Sequence, residues 1–222
     1  YGNLWRSNNG GNNFVVATNG FNPERVNWNT PVIFDPSDSD VLYMGGNRLF
    51  KSIDNASIWN AISEDLTDGG GNGNLAFGTI TTISVSPVDS ETIMVGTDDG
   101  NVWITESGGA NWKNISDGYL GGTIGAIAIA PSNESIVYVG EGENSMRGNV
   151  SEGLEGMWKS TDDGKTWKNI GLKEARHIVR LIVHPKNPDI VWAAVMGHLF
   201  GPNENRGVYK SLDGGATWKK VL

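Results

Sequence analysis

An eight-residue segment recurs along the chain and constrains the fold more than any other feature. Ser160-Thr161-Asp162-Asp163-Gly164-Lys165-Thr166-Trp167 returns, almost unchanged, as Ser211-Leu212-Asp213-Gly214-Gly215-Ala216-Thr217-Trp218. Weaker copies begin at Ser7, Ser52 and Thr105, so the period is about 45 to 55 residues. Self-similarity at this period indicates one supersecondary unit that is repeated, each copy burying a face against the next.

The residue types of the segment fit a turn between two β-strands. Asp and Ser side chains accept hydrogen bonds from backbone N–H groups of their own turn, and Gly supplies a positive φ. The Trp that ends the segment buries a large apolar surface against a neighbouring unit. The Asp carboxylates are therefore expected to cap turns, not to act in catalysis. The residues predicted to have this structural role are Ser52, Asp54, Trp59, Trp112, Ser160, Asp162, Gly164, Trp167, Ser211, Asp213, Gly215 and Trp218.

Two further apolar runs precede each complete copy of the segment. In the unit that ends at Trp167 they cover 126–130 and 136–140. Four antiparallel strands per unit at this spacing form a β-propeller blade. The sequence predicts an all-β protein, a single β-propeller domain over residues 1–222 with four complete four-stranded blades. The predicted blades are about 26–63, 78–116, 123–171 and 176–222, and the only helical signal is a brief turn within 172–180.

The first copy of the segment belongs to an outer hairpin, residues 2–17, without an inner strand pair ahead of it. Ring closure generally uses about 4 to 8 whole blades. The sequence therefore predicts a partial propeller. It is either a piece of a longer propeller, or a ring that another chain completes, as in a homo-oligomer, or a ring that closes irregularly. Unpaired edges of inner strands favour the first two alternatives, because such edges tend to pair with a further strand.

The repeated segment resembles those of the Asp-box (BNR) β-propellers, which include sialidases, xyloglucan-cleaving glycosidases and sortilin/VPS10-type receptors. Residues 124–222 look most like the opening of bacterial sortilin-like "glycosyl hydrolase" proteins. That resemblance includes Gly148-Asn149-Val150-Ser151, Arg176-His177-Ile178 and Gly197-His198. Residues 1–116 resemble later blades, so the seam at 117–122 indicates a rearranged or excerpted order. The resemblance implies a secreted, periplasmic or cell-surface protein. Sialidase activity is not expected, because no Arg-Ile-Pro signature is present.

Composition excludes several classes of function. The 17 basic residues against 25 acidic ones give a net charge of −8, which argues against nucleic acid as a partner. Cysteine is absent, so thiolate catalysis and Cys-ligated zinc are excluded. The three His residues lack metal-ligand spacing and no Asp-x-Asp-x-Asp-Gly loop occurs, so neither a metal nor a cofactor is expected. No apolar run approaches about 18 residues, so membrane insertion is not expected.

Four carboxylates are candidates for a catalytic pair on the face opposite the repeated turns. Glycoside hydrolysis needs two carboxyl groups roughly 5 to 10 Å apart. Glu141, Glu143, Asp98 and Asp99 lie in loops that the blade pattern places on that face. Each also has a simpler interpretation. Asp98 and Asp99 fit an ordinary hairpin turn, and the two glutamates fit solvated loop positions or ion-pair partners of Arg147.

Binding residues are predicted in the long loops 141–156 and 196–207, which a rigid scaffold would present. Arg side chains offer forked donors for carboxylates, although ion pairs that order the loops are the simpler interpretation. Trp28, between two Asn residues, fits either a sugar-stacking platform or packing against the next blade. The candidate binding residues are Trp28, Arg147, Asn149, Arg176, His198, Asn203 and Arg206.

The sequence supports three functional hypotheses. The first is an extracytoplasmic scaffold that binds a protein, peptide or glycan ligand through the face opposite the Asp boxes, because the scaffold motifs are strong and the catalytic set is weak. The second is a glycoside hydrolase of the xyloglucanase-like group, based on the carboxylates and Trp28. The third is an assembly piece without a ligand of its own. Fold alone does not rank them, since propellers host many functions.

Overall fold

The computed structural model describes residues 2–70, 77–144 and 150–222, and its regular structure is almost entirely β-sheet. A two-stranded N-terminal hairpin contains β1 (Trp5–Arg6) and β2 (Val15–Val16). Blade 1 contains β3 (Val32–Phe34), β4 (Leu42–Gly45), β5 (Leu49–Ser52) and β6 (Asn60–Ala61). Blade 2 contains β7 (Ile80–Val85), β8 (Thr92–Thr97), β9 (Val102–Glu106) and β10 (Lys113–Asn114).

The C-terminal half has the same organisation. Blade 3 contains β11 (Ile124–Ile129), β12 (Val137–Glu141), β13 (Met157–Ser160) and β14 (Lys168–Asn169). Blade 4 contains β15 (Ile178–His184), β16 (Asn187–Val195), β17 (Gly207–Ser211) and β18 (Lys219–Lys220). A single 3₁₀ turn, Lys173–Ala175, lies between blades 3 and 4, where the sequence predicted a brief turn.

Each blade is an antiparallel meander whose strands pair in chain order. The first strands of the four blades line one central cavity of about 580 Å³, so they are the innermost strands. The prediction of an all-β, partial propeller with four four-stranded blades and an outer hairpin is confirmed. Buried apolar residues alternate along the strands, which is why each strand packs one side against a neighbouring blade. In β16, Val191, Ala193 and Val195 are buried on one side of the sheet.

The core is divided into four clusters, one for each interface between successive units. One cluster joins the hairpin to blade 1, the next joins blades 1 and 2, and the pattern continues to blades 3 and 4. Tyr138 illustrates this packing between blades. It belongs to the second strand of blade 3, and its side chain is fully buried in the cluster that contains Leu181, Val183 and Val191 of blade 4. Stability therefore comes from unit-on-unit packing, as in other repeat architectures.

A Trp hydrogen bond is repeated at the same four interfaces. The indole N–H of Trp59 donates to the Ala17 carbonyl (2.8 Å), which directly follows the last strand of the preceding unit. Equivalent bonds run from Trp112, Trp167 and Trp218 to the carbonyls of Ile62 (3.0 Å), Ile115 (2.7 Å) and Ile170 (2.8 Å). A repeated Trp thus serves both as apolar filling and as a directional link between units.

The blades present two different faces. The turns between first and second strands and those between third and fourth strands lie on one, which we call the turn face. The other, the loop face, carries the loops between second and third strands and the connections between blades. Its described parts include residues 18–31, 62–70, 77–79, 98–101, 115–123, 142–144, 150–156, 171–177 and 196–206.

Candidate functional site

In the repeated turns on the turn face, each Asp carboxylate accepts hydrogen bonds from groups of the same turn. In blade 3, Ser160 Oγ donates to Asp162 Oδ1 (2.8 Å), and the N–H of Gly164 donates to Ser160 Oγ (2.9 Å). Asp162 also accepts from the N–H (2.9 Å) and the hydroxyl (2.7 Å) of Thr166. The turns at Ser52 and Ser211 repeat the bond between Ser hydroxyl and Asp carboxylate.

These hydrogen bonds lower the pKa of the turn carboxylates. The Thr217 hydroxyl and N–H, followed by the Ser211 hydroxyl, lower the pKa of Asp213 to about 2. The Thr166 hydroxyl and N–H lower the pKa of Asp162, and the Ile58 N–H followed by the Ser52 hydroxyl lowers that of Asp54. An acid held ionised in this way is unsuited to proton donation near neutral pH.

On the loop face, Glu141 is completely buried at the end of β12. Its carboxylate accepts from the backbone N–H groups of Leu154 and Glu155, each at 2.7 Å, and from the Trp158 indole N–H at 2.9 Å. Glu141 therefore fastens the returning half of the blade 3 loop to the blade. The alternative of a solvated loop position is wrong for this residue, because the side chain is fully buried and its carboxylate bonds to protein donors in place of water.

Glu143 is also buried, with 1% of its surface exposed, so the solvated alternative is wrong here too. Its carboxylate accepts from the Ser151 N–H (3.0 Å) and from Asn27 Nδ2 (3.3 Å), and its own N–H donates to Thr123 Oγ1 (3.1 Å). Asn27 precedes blade 1, so this contact spans from one side of the partial ring to blade 3. Its amide also donates to Thr79 Oγ1 (3.1 Å) at the entry to blade 2.

Asp98 and Asp99 begin the blade 2 loop and have different environments. Asp98 is fully buried and accepts from the N–H groups of Phe77 (2.7 Å) and Thr79 (2.8 Å). Burial raises its pKa, as do the nearby charges of Glu143 and Asp99, although the two N–H donors oppose the shift. Asp99 takes part in a tight turn, as the simpler interpretation predicted, and accepts from the Asp68 N–H (2.7 Å).

His177 adds a buried base to this region. The sequence interpretation included it in a stretch that carries the family resemblance and gave it no role in a site. Its Nδ1 donates to the Glu143 carbonyl at 2.9 Å, while Nε2 is buried and has no hydrogen-bond partner among residues 2–70, 77–144 and 150–222. Burial lowers the pKa of His177, outweighing the attraction of Glu152 and Glu143. The imidazole is therefore held neutral, with its proton on Nδ1 because a carbonyl can only accept.

A cleft of about 360 Å³ opens beside these buried groups, between the loops of blades 2 and 3. Its wall includes the exposed Asp68 and Glu152 and the half-buried Asp99. The sequence interpretation missed Asp68 and Glu152, because nothing local marks them. Asp68 lies in the connection between blades 1 and 2 and Glu152 in the blade 3 loop, so only the packing of these segments beside the blade 2 loop brings them to one cleft.

The predicted binding residues of blade 4 mainly order their own loop. Arg206 donates to the carbonyls of Met196 (2.9 Å) and His198 (2.7 Å), and Asn203 Nδ2 donates to the His198 carbonyl (3.3 Å). Arg176 lies 3.4 Å from a Glu152 carboxylate oxygen. The simpler interpretation, in which ion pairs order the loops, fits Arg176, which also lies 3.7 Å from a Glu174 carboxylate oxygen. Arg206 orders its loop through backbone carbonyls instead.

The remaining candidates are less connected to the cleft. Trp28 is 49% exposed, so it is neither fully packed nor fully solvated. Arg147 and Asn149 lie outside the described residues. Among the residues that the structure describes, no three His, Asp or Glu side chains come together as a metal site. No helix found in the described chain has the length and apolarity to cross a membrane.

The blades, their register and the central cavity define the class of protein: a β-propeller, present here in part. A family model described as Sortilin-Vps10, "Sortilin, neurotensin receptor 3", matches residues 100–222. That is more than half of the chain, and the chain belongs to this family.

Curated relatives come from two groups. Sortilin of Rattus norvegicus is 24% identical over 225 residues, which cover 97% of this chain and 24% of that protein. A xyloglucanase of Acetivibrio thermocellus is 27% identical over 214 residues, covering 84% of this chain and 24% of the enzyme. A xyloglucanase of Hypocrea jecorina is 29% identical over 125 residues, covering 50% of this chain and 14% of the enzyme. The chain therefore spans a quarter or less of these relatives' lengths.

Solved structures agree on the fold. An ancestral GH74 enzyme superimposes with a TM-score of 0.64 at 23% identity, covering 91% of this chain and 25% of its own. A structure titled "YCF48 bound to D1 peptide" superimposes with a TM-score of 0.55 at 14% identity, covering 98% of this chain and 60% of its own. At these identities the likeness shows the fold alone.

Proposed function

We propose that this chain is an extracytoplasmic Asp-box propeller that binds a protein or peptide ligand through the loop face, without catalysis. The observation that carries the proposal is the state of the three best catalytic candidates. Asp98, Glu141 and Glu143 are at most 1% exposed, and each accepts hydrogen bonds that hold loops in place. A carboxylate used as a structural acceptor cannot reach a glycosidic oxygen without dismantling its own support.

The cleft between the loops of blades 2 and 3 is the proposed binding position. Its acidic rim, with Asp68, Asp99 and Glu152, favours a ligand segment with Lys or Arg side chains. The buried network beneath the rim keeps the loops fixed, so little ordering entropy is lost when a ligand binds. Membership of the sortilin family and the peptide in the YCF48 structure's title support a peptide ligand.

A displayed library of random 12-residue peptides tests this proposal. Enriched peptides are expected to be basic and to bind more weakly as salt is raised, since the rim charges are exposed. Glu152→Gln and Asp68→Asn should each weaken the best peptide about 3- to 10-fold. Glu91→Gln is the matched control, because Glu91 is an exposed carboxylate between β7 and β8 on the turn face. Equal affinities for all three variants and the wild type would contradict the assignment.

A glycan is the alternative ligand, and the half-exposed Trp28 supports it. An aromatic face that is partly open to solvent suits stacking on a sugar ring. A glycan array probed with the wild type and Trp28→Ala distinguishes the two ligands. Array binding that Trp28→Ala abolishes, together with an unproductive peptide library, would replace the peptide proposal.

Glycoside hydrolysis is the second candidate function, favoured by one observation at Asp98. Burial raises the pKa of Asp98, and the charge of Glu143 adds to the shift; a general acid beside a second carboxylate is prepared in this way. The xyloglucanase relatives support the same substrate class. Release of reducing ends from xyloglucan, lost in both Asp98→Asn and Glu143→Gln while peptide binding persists, would establish this function. Absence of release by the wild type would remove it.

A further inference from the structure

An open groove lies between blades 1 and 2, beside their outermost strands β6 and β10. One side is formed by residues 61–66, from the end of β6 onward, and the other by Trp103 of β9 and the turn residues 109–112. We call this space the outer groove. Its volume of about 550 Å³ is in the range of small-ligand sites. Both of its walls belong to complete blades that pack directly on each other.

Trp112 forms part of the groove wall and is more exposed than two of its equivalents. It ends the repeated segment of blade 2, and its indole N–H donates to the Ile62 carbonyl at 3.0 Å, which fixes the orientation of the ring. The equivalent side chains Trp59 and Trp167 are 2% and 6% exposed, whereas Trp112 is half-buried. Part of this ring surface is therefore open at the groove.

Trp103 supplies a second aromatic surface. Its backbone pairs with Val95 on one side and with Asn114 on the other, so the exposed part of this half-buried residue belongs chiefly to its side chain. The indole nitrogen is buried, which leaves carbon atoms at the surface. The blade 1 equivalent, Phe50, is only 1% exposed. Two indole rings therefore present carbon surface to one groove.

Two polar side chains at the groove are available to a ligand. The Glu64 side chain is 94% exposed. Asn111 is also exposed, and its side-chain amide makes no hydrogen bond to any residue within 2–70, 77–144 or 150–222. Ser63 is different, because its hydroxyl already accepts from the Leu49 N–H (2.8 Å) and donates to the Glu64 carbonyl (2.7 Å). A carboxylate accepts hydrogen bonds and an amide both donates and accepts them, which together match neighbouring hydroxyl groups.

The charges at the groove are balanced. Arg48 lies 3.9 Å from the Glu64 carboxylate, and Arg25 contacts the carboxylate of Asp65, the other acidic residue of the wall. A cation gains little from carboxylates that already face arginines, and an anion is repelled by the same carboxylates. The groove therefore favours an uncharged ligand that has one apolar face and hydroxyl groups at its edge.

We propose that the outer groove is a binding site for a neutral sugar in its pyranose form. The C–H face of the sugar ring lies against Trp103 and Trp112, where it replaces water on carbon surface. Its hydroxyl groups donate to the Glu64 carboxylate and exchange hydrogen bonds with the Asn111 amide. The groove is separate from the loop-face cleft between blades 2 and 3, so a sugar here and a peptide there can be bound at the same time.

Nuclear magnetic resonance of the isotope-labelled chain tests the proposal, because each indole N–H gives its own signal. The probes are short oligomers of β-linked glucose, β-linked xylose and α-linked mannose, each added up to about 10 mM. At least one of them is expected to shift the Trp103 and Trp112 signals in a saturable way. Tetramethylammonium is the comparison probe and should leave both signals unchanged, because the carboxylates at the groove already face arginines.

Two substitutions at exposed positions give the second measurement. Asn111→Ala and Glu64→Ala should each weaken binding of the best sugar at least about 3-fold, because each removes hydrogen bonds to its hydroxyl groups. Asn13→Ala is the control for the first, since Asn13 is exposed and has the same place in the N-terminal copy of the repeated segment. Glu174→Ala is the control for the second, since Glu174 is an exposed carboxylate 3.7 Å from Arg176. Both controls should bind the sugar as the wild type does.

Several results would overturn the proposal. They are the absence of any sugar-induced shift of the Trp103 and Trp112 signals, equal affinities in the groove variants and their controls, and shifts caused by tetramethylammonium alone. A sugar that shifts the Trp28 signal and leaves the two groove signals unchanged would also contradict it, because that sugar would bind on the loop face.

Discussion

Replacing Trp167 by Phe isolates one of the hydrogen bonds that link successive units. The Trp167 indole N–H donates to the Ile115 carbonyl at 2.7 Å, and the side chain is only 6% exposed. Phe keeps an aromatic ring but provides no donor, so the carbonyl is left buried and unpaired, at a cost of about 1 to 3 kcal/mol. The smaller ring also leaves unfilled volume, which adds about 1 kcal/mol. We expect the free energy of unfolding to fall by about 2 to 4 kcal/mol.

Urea denaturation followed by far-ultraviolet circular dichroism measures this loss without depending on Trp fluorescence. Trp5→Phe is the matched control, because the same change is made at a side chain that is 59% exposed. It should alter stability by less than about 0.5 kcal/mol. A Trp167→Phe chain that loses no more stability than Trp5→Phe would refute the role of the indole as a link between blades.

Three further substitutions test the loop face and the turns. Gly142→Ala should lower the free energy of unfolding by about 2 to 4 kcal/mol in a urea titration, because Gly142 has φ +89° and a Cβ there would overlap the Arg176 carbonyl. Gly118→Ala is the control: Gly118 has φ +82° but open space around it, so the loss should be only about 1 kcal/mol. His177→Gln should flatten the pH dependence of stability. Since the folded-state pKa of His177 is lowered, the wild type loses stability as pH falls below the unfolded pKa of about 6.5, by at most about 1.4 kcal/mol per pH unit. Asp213→Ala should lower the urea midpoint at pH 7. That difference should vanish as pH falls from about 4 through about 2, because the pKa of Asp213 is lowered to about 2 and its stabilising charge is lost there.

The fold was predictable because its signals are local. Turn chemistry at Ser160 and Asp162, a following Trp and two apolar runs ahead of them lie within one unit, and they specify one blade without reference to any other. Because the same pattern recurs in the following unit, the assignment of each blade supports the assignment of the next. The least predictable elements were the outer strands: β14 and β18 contain only two residues each, because they pair along one edge and lie at the rim.

The loop-face network was not predictable in the same way, because its contacts cross between blades. Glu143 meets Asn27 across 116 positions of sequence, and no local pattern marks either residue as a partner of the other. Glu141 is different, because a comparison of blade 3 with blade 2 within the sequence marks it as a hydrogen-bond acceptor. Its equivalent in blade 2 is Thr97. The indole N–H of Trp103, the blade 2 equivalent of Trp158, is buried and finds no partner in the part of the chain that the structure describes, whereas the Trp158 indole donates to Glu141. A carboxylate at the end of a second strand, facing a Trp of the third, indicates such a bond.

The N-terminal hairpin differs from the other units at the residue that would link it to a preceding one. Phe14 ends its copy of the repeated segment, where the four blades have Trp, and it is 59% exposed. A phenyl ring cannot donate a hydrogen bond, so the indole link found at the other interfaces is not available on this side of the hairpin.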